Sequence, residues 1–447
     1  MMTAKQLIKN IKTDPDKFLL VALVFALPFE RIPSVDVFGA SLRLSVVFSI
    51  LIIMRAAYIV ITKRSDFKIF TIQRLLIFLL VWVVLLIPES INIKRAIAVT
   101  LFNGFTIISA LAVAVIFNKK YMIPIIKSIL LSALLVVAIG IYQYPADLLG
   151  ISPKYTGLLE RYRSPIFSYP RIHSMSLEPL YFASYLLLPI SFTLSLIFFD
   201  KNKNFKNKTL YILLGIYSFA LFLTASRGAI YALAASFVAF MILSFLIKSL
   251  NVRKLLVAVC IIVLSFAFAL TTFSFINQKT FSPAKNDINA TKNFTTQITK
   301  TSIDSQDERS SSRQKALDIL KDNKTAWLVG IGPGQYGPYV QNNTEKSDGG
   351  WFIVNNLTLE LLVELGMVGL MTVLAIFGML LFKLFVEINK SNENTILVFG
   401  SALLVFIISQ AIQYQSFSTL YIIQIWVVVG LSIAVIGQSR RSLAKNN

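Results

Sequence analysis

Histidine and cysteine are nearly missing from this chain: its 447 residues include one of each, His173 and Cys260. A lone histidine excludes a multi-histidine metal centre, and a lone cysteine excludes both a thiolate cluster and an intrachain disulfide. The carboxylates form no clustered motif either, so neither a metal nor any other cofactor is expected. Charge is scarce as well. Only 15% of residues are charged and 56% are hydrophobic, whereas soluble domains carry about a quarter of their residues charged; a water-soluble fold is excluded. Nor does the chain show the short alternating segments of a membrane β-barrel. Its apolar runs are continuous, and a helix satisfies its own backbone hydrogen bonds in lipid. Residues 1–17 are polar and basic, and no small-residue cleavage site follows the first apolar run, so no removed signal peptide is expected.

What is present is a series of about twelve apolar runs of helical length, at roughly 18–29, 44–61, 75–88, 96–117, 123–142, 179–199, 210–224, 229–247, 255–276, 353–382, 395–413 and 420–436. The first and third are short, as tilted or re-entrant segments are. The expected fold is an all-α integral membrane protein, a single polytopic domain over residues 1–447 with about twelve transmembrane helices. One large extracytoplasmic loop, 277–352, containing short helices, is inserted between the ninth and tenth spans. The formal charge of +21 sets the orientation. Lysine and arginine gather in alternate connectors, among them Lys63, Arg64, Lys68 and Arg74, then Lys201, Lys203, Lys206 and Lys208, then Arg440, Arg441 and Lys445. By the positive-inside rule that side is cytoplasmic, which puts both termini inside a cytoplasmic (inner) membrane and the long loop outside it. Basic inner loops facing anionic lipid account for the charge, so the bilayer is an expected partner and nucleic acid is not.

Chemistry is therefore sought in the outer connectors. Residues 143–178 carry Tyr155, Arg161, Arg163, Arg171, His173 and Glu178 among four prolines, which break regular structure. Positive charge there runs against the rule that set the topology; function is one reason for it, and the tolerance of long loops for charge is another. In the large loop, residues 277–312 are rich in Thr, Ser, Asn and Lys and are expected to be mobile or ordered only by a partner. The pattern then predicts a helix capped by Ser311-Ser312 and running through Arg313, Ala316, Leu317, Ile319 and Leu320. Gly330-Ile331-Gly332-Pro333-Gly334-Gln335-Tyr336 follows as an irregular connector, without the strand-then-helix context of a nucleotide phosphate loop. At the start of the next span, helical spacing places Asn356, Glu360 and Glu364 on one face near the outer interface, where carboxylates are rare enough to suggest function. A watery vestibule would explain them too.

Ser226-Arg227-Gly228 opening a span, Arg313 at the start of a loop helix, Gly330-Ile-Gly-Pro-Gly-Gln-Tyr336, and Asn356-Leu-Thr-Leu-Glu-Leu-Leu-Val-Glu-Leu-Gly366 occur in that order. Together they resemble the O-antigen ligase and O-antigen polymerase superfamily over about residues 171–369. The resemblance implies a membrane glycosyltransferase acting on the outer face. Its donor is a polyprenyl-pyrophosphate-linked oligosaccharide, its acceptor a glycan or lipid-linked glycan, and it uses no metal and no cofactor. It also implies that Arg227 and Arg313 hold the donor pyrophosphate, with Arg171 grouped beside them in a family-like segment that ends at Glu178-Pro179. Guanidinium suits that role because it stays protonated, binds phosphate oxygens bidentately and stabilises charge growing on a leaving group. Asn355, Asn356, Gln335 and Tyr336 are assigned to the acceptor vestibule. Outer aromatics such as Tyr155, Tyr162, Tyr169, Tyr339 and Trp351 suit either sugar stacking or an interfacial belt.

One departure bears on mechanism. Ligases of this type carry a histidine, taken as the general base, where this chain has Asn355, and an amide cannot take that proton. Three replacements are open. Glu178 is an outer-interface carboxylate whose basicity would rise on partial burial. His173 has a suitable intrinsic pKa but ranks below it, since a lone loop histidine is more often merely exposed. Glu360 is the third. The expected reaction is an inverting, metal-independent displacement at the anomeric carbon through an oxocarbenium-like transition state. Asn355 breaks the ligase pattern, which favours a polysaccharide polymerase; an O-antigen-type ligase or a protein O-oligosaccharyltransferase with the same donor is the alternative. A lipid-glycan transporter or flippase is the alternative of another class, disfavoured because the polar residues gather at one face and no repeated halves are evident.

Overall fold

Continuous apolar runs leave the backbone no partner but itself, and the chain answers with helices. The structure is a computed structural model that describes residues 13–31, 33–37, 40–62, 71–164, 169–247, 249, 251–276, 303–341, 352–391, 393–418, 420 and 422–443. Its main helices are α1 (Pro15–Ala26), α2 (Leu44–Thr62), α3 (Thr71–Leu85), α4 (Ile93–Ile116), α5 (Met122–Leu148), α6 (Pro179–Phe199), α7 (Asn207–Leu223), α8 (Arg227–Leu246), α9 (Val252–Ile276), α10 (Ile303–Asp322), α11 (Leu357–Lys390), α12 (Asn394–Gln413) and α13 (Ile423–Leu443). A small antiparallel hairpin, β1 (Ser34–Val37) with β2 (Ala40–Arg43), pairs Ser34 with Arg43 between α1 and α2. Among the described residues nine helices are long and apolar enough to cross a membrane, and α7 and the apolar part of α13 are shorter.

The loop helix α10 corrects one expectation. It begins at Ile303, so Ser311 and Ser312 lie inside the helix rather than capping it. The preceding residues, Ser305-Gln306-Asp307-Glu308-Arg309, are acceptable helix formers, and nothing in them forces a start at serine. Residues 277–302, most of the stretch expected to be mobile, and Trp351 lie outside the described residues.

The chain divides into two compact units, one of residues 1–51, 118–302 and 387–410, the other of 52–117, 303–386 and 411–447. In the first, α6 is the axis: its apolar window is buried completely, and α5, α7, α8 and α9 pack around it. Two of the hydroxyls on α6 are met by side chain or backbone from elsewhere in the unit, Ser184 donating to Gln410 Oε1 at 3.0 Å and Ser195 to the Val398 carbonyl at 2.6 Å. By contrast, only 17% of the α9 window is buried, as suits a helix with a lipid-facing side. In the second unit α13 lies against α4, so close at Gly430 that a Cβ there would overlap the Ala110 carbonyl oxygen.

The second unit also contains a deliberate break. Gly366, at φ 69° and ψ −174°, interrupts α11 in a region of backbone space essentially reserved for glycine. The break leaves the carbonyls of the preceding turn without helical donors, and other groups supply them. Ile331 N–H donates to Val363 at 2.9 Å, Gly332 N–H to Glu364 at 3.0 Å, and the Trp82 indole to Leu365 at 2.9 Å. Gly330 (φ 87°) and Gly366 let the two backbones meet, since a Cβ on Gly330 would overlap the Glu364 carbonyl and one on Gly366 the Leu328 carbonyl. Gly366→Ala should therefore lower stability by at least about 1–3 kcal/mol, read as a lower melting temperature in detergent; an unchanged melting curve would show that the break is not needed.

Candidate functional site

In the first unit the site begins at the end of α5. Gln143 and Asp147 stand one turn apart on that helix, and both are buried. Gln143 uses its amide on both sides. Its Oε1 accepts the N–H groups of His173 (3.2 Å) and Ser174 (2.8 Å), while Nε2 donates to the carbonyls of Thr156 and Ser174, each at 3.1 Å. Asp147 accepts Arg163 Nε at 2.6 Å on one oxygen and the Ser164 N–H and hydroxyl at 2.9 and 2.7 Å on the other. A buried charge is tolerable when each lone pair is met in this way. From the end of α1, Arg31 adds its N–H to the Met175 carbonyl and its guanidinium to the Gly157 carbonyl. The proline-rich connector is thus tied to two helices at several points along its length.

The tied connector gathers arginines around a tyrosine. Tyr162 is 8% exposed; the Arg161 guanidinium lies 4.9 Å from its ring centroid and that of Arg171 5.9 Å. Arg171 N–H donates to the Tyr162 carbonyl at 2.9 Å, which fixes the spacing of ring and guanidinium. The Arg171 side chain reaches the turn before α8, donating to the Thr224 carbonyl at 3.2 Å. Ala225, at φ 50°, turns the chain there so that Arg227 opens α8. Burial and then the positive charge of Arg227 oppose the charge on Arg171 and hold its pKa below the usual arginine value. Both guanidiniums are also felt by the buried Tyr169 hydroxyl, which burial still pushes up to about 12. Glu178, the residue before α6, accepts Arg161 Nη2 at 3.2 Å and is 38% exposed. Burial and then the Glu178 carboxylate push the Tyr162 hydroxyl up to about 12. Three guanidiniums and one carboxylate share this corner, an arrangement that favours an anion with at least two charges.

In the second unit the residues expected at the acceptor vestibule are tied into the protein. Asn356 caps α11 through Leu359 N–H at 2.9 Å and reaches the Gln415 carbonyl at 3.3 Å, which also accepts Arg313 Nη2 at 2.8 Å. Asn355, at φ 58°, donates its N–H to Ser418 Oγ at 3.2 Å. Ser418 in turn donates to Glu360 Oε2 at 2.5 Å, and that oxygen also accepts Val354 N–H at 3.1 Å. One turn on, Glu364 accepts the N–H groups of Gly334 (2.8 Å) and Tyr336 (3.1 Å). A cavity of about 40 Å³ lies beside the two glutamates, bordered by Asn103 and Trp426, with room for roughly three waters.

Set beside the sequence expectations, Arg171, Arg227 and Glu178 are brought together in the first unit, while Arg313, Asn355, Asn356 and Glu360 belong to the second. His173 needs correction. It is fully buried, not exposed: its Nε2 accepts Leu159 N–H at 3.1 Å, which leaves the proton on Nδ1, facing the Ser176 carbonyl at 2.9 Å. Burial, with Arg31 and Arg161 nearby, lowers its pKa to about 4, and its ring supports Tyr162 edge-on at 5.7 Å. With both nitrogens occupied by backbone it cannot receive a substrate proton. Gln335 and Tyr336 are corrected too. Both are buried; Gln335 exchanges hydrogen bonds with the Asn92 peptide at 2.8 and 3.1 Å, and the Tyr336 hydroxyl donates to the Ser312 carbonyl at 2.7 Å. They hold the loop instead of lining a vestibule. Glu360 is buried and latches Val354 and Ser418. Sequence reasoning missed Gln143 and Asp147, although two polar residues one turn apart at the end of an apolar run were a usable signal.

Comparison with known families gives a match for residues 211–374 to the family described as O-antigen ligase. No curated protein gives a match. The matched segment begins in α7 and includes Arg227, Arg313, Asn355 and Glu360.

A structural His173 makes a pH-dependent claim. Its folded pKa is depressed, so it is neutral in the folded chain; the stability this confers is full above the unfolded value near 6.5 and is lost as pH falls toward about 4. His173→Gln should lower stability at neutral pH by about 1–3 kcal/mol and remove that acid limb from the melting temperature, leaving the pH dependence of catalysis as it was. A catalytic pH profile that lost a limb with this substitution would return His173 to the list of bases.

Proposed function

From the match of residues 211–374 to the O-antigen ligase family, we propose that this multi-pass membrane protein is a glycan enzyme of the O-antigen ligase and polymerase superfamily that joins polyprenyl-pyrophosphate-linked glycans on the outer face of the cytoplasmic membrane, as a polysaccharide polymerase. The observation that carries the reading is the gathering of Arg171 and Arg227 at the start of α8, with Arg161 and Glu178 beside Tyr162. A diphosphate answers its charge. The family resemblance adds Arg313 of the second unit as a donor ligand, an assignment with its own test below. The basic alternate connectors support cytoplasmic termini and an outward-facing site.

The reaction is a single displacement. An acceptor hydroxyl attacks the anomeric carbon of the donor sugar on the face opposite the diphosphate. The new bond forms from the acceptor oxygen to that carbon as the bond from carbon to phosphate oxygen breaks, and configuration inverts. The electron pair leaves with the polyprenyl diphosphate, whose growing charge Arg171 and Arg227 stabilise. The hydroxyl proton passes to Glu178, whose carboxylate pairs with Arg161 and acts electrostatically on Arg171, in place of the histidine that Asn355 replaces. Polymerase is preferred to ligase on that same departure. A protein or lipid-core acceptor would use the same donor chemistry and differ only in the acceptor.

In protein reconstituted into lipid with its lipid-linked glycan, Arg171→Ala and Arg227→Lys should each slow transfer by about a hundredfold, and Glu178→Gln should slow it comparably while removing the acid limb of the pH–rate profile. Full-rate Arg171 and Arg227 variants would remove the diphosphate site. A full-rate Arg313→Ala would remove only that residue from the donor's ligands. Mass spectrometry of surface glycans should show short chains in cells lacking the protein; unchanged chain length with loss of a glycan from a lipid core or a protein would select the ligase or protein-transferase reading.

A further inference from the structure

Arg161 has no part in the displacement just described, yet it is placed as carefully as Arg171. Both guanidiniums lie over the Tyr162 ring, and that ring meets buried His173 edge-on. The partner of Arg161 is Glu178 at 3.2 Å, through side chains 61% and 38% exposed. An exposed ion pair of this kind contributes little and exchanges readily. A diphosphate offers the same guanidinium more charge and a better bidentate match than one carboxylate does.

We propose that Arg161 is a third ligand of the donor's diphosphate, and that it engages the diphosphate by releasing Glu178, so that donor binding itself frees the carboxylate that takes the acceptor's proton. This rests on the assignment of Arg171 and Arg227 to the diphosphate. Local charge favours the exchange. With Arg161, Arg171 and Arg227 against Glu178 the corner carries two net positive charges, and a bound diphosphate turns Glu178 from counter-ion into repelled neighbour. The consequence is a bias toward order: before the donor binds, one oxygen of Glu178 is engaged by Arg161, and a bound diphosphate removes that competitor for the acceptor's proton. Activation of the acceptor is thereby favoured in complexes that already hold a donor.

The exchange predicts opposite effects for the two members of one ion pair. Binding of inorganic pyrophosphate to the full-length protein in lipid nanodiscs, measured by calorimetry, should weaken roughly tenfold or more in Arg161→Ala, recover in part in Arg161→Lys, and tighten in Glu178→Gln, although that variant transfers poorly. If Arg161→Ala and Glu178→Gln both bind pyrophosphate as the wild type does while Arg227→Ala does not bind it, Arg161 only tethers the connector; the exchange is overturned and the diphosphate site stands. If Arg171→Ala and Arg227→Ala also bind as the wild type does, or if the wild type binds none, both proposals fall. Should Arg161→Ala fail to fold, Glu178→Gln decides alone, and an affinity equal to or below the wild type contradicts the exchange.

Discussion

Gln143 commits its whole amide to backbone groups of Thr156, His173 and Ser174, and the geometry of the first unit's arginine corner depends on that commitment. A connector with several prolines has no regular hydrogen-bonding ladder of its own. Its buried peptide groups need partners from elsewhere, because an unmet one costs about as much as the bond it lacks. Gln143 supplies them from a rigid helix, and Asp147 does the same one turn later for Arg163 and Ser164. With those points fixed, Tyr162 has one place to be, and so have the guanidiniums of Arg161 and Arg171 that lie over it. Like charges would otherwise drive such a corner apart. Rigidity makes them available together, which is what a site for a dianion requires.

The second unit solves the related problem of holding a glycine-rich connector with a broken helix. The interruption at Gly366 frees carbonyls for Ile331, Gly332 and Trp82, while Glu364 collects the N–H groups of Gly334 and Tyr336. In both units a polar residue near the end of a span-length helix, where lipid would penalise it, is turned inward and saturated by a loop. Exposed arginine and carboxylate are left for the first unit's corner and for Arg313.

Much of this was legible in the sequence, and what was not had a common cause. Most of the helices fall on apolar runs because burial in lipid and helix formation impose the same pattern. Arg171, Arg227 and Glu178 stood out because each lies in or beside a connector between apolar runs, where a polar residue is conspicuous against an apolar background. His173, Gln335, Tyr336 and Glu360 were drawn toward chemistry for the same reason, yet each is held by other parts of the protein: His173 by backbone groups of Leu159 and Ser176, Gln335 by the Asn92 peptide, Tyr336 by the Ser312 carbonyl, and Glu360 by the Ser418 hydroxyl and Val354 N–H. Periodicity carries no information on such pairings. The start of α10 escaped because serine marks a cap only where the preceding residues refuse the helix, and here they accept it.

The central claim is that a lipid diphosphate is gripped where Arg171 meets the start of α8. A cryo-EM map of the protein in nanodiscs with a non-transferable polyprenyl diphosphate glycan tests it most directly. The account predicts diphosphate density within hydrogen-bonding reach, about 3 Å, of the guanidiniums of Arg171 and Arg227, with Arg161 turned from Glu178 toward it. Well-resolved diphosphate density that touches neither Arg171 nor Arg227 would contradict it.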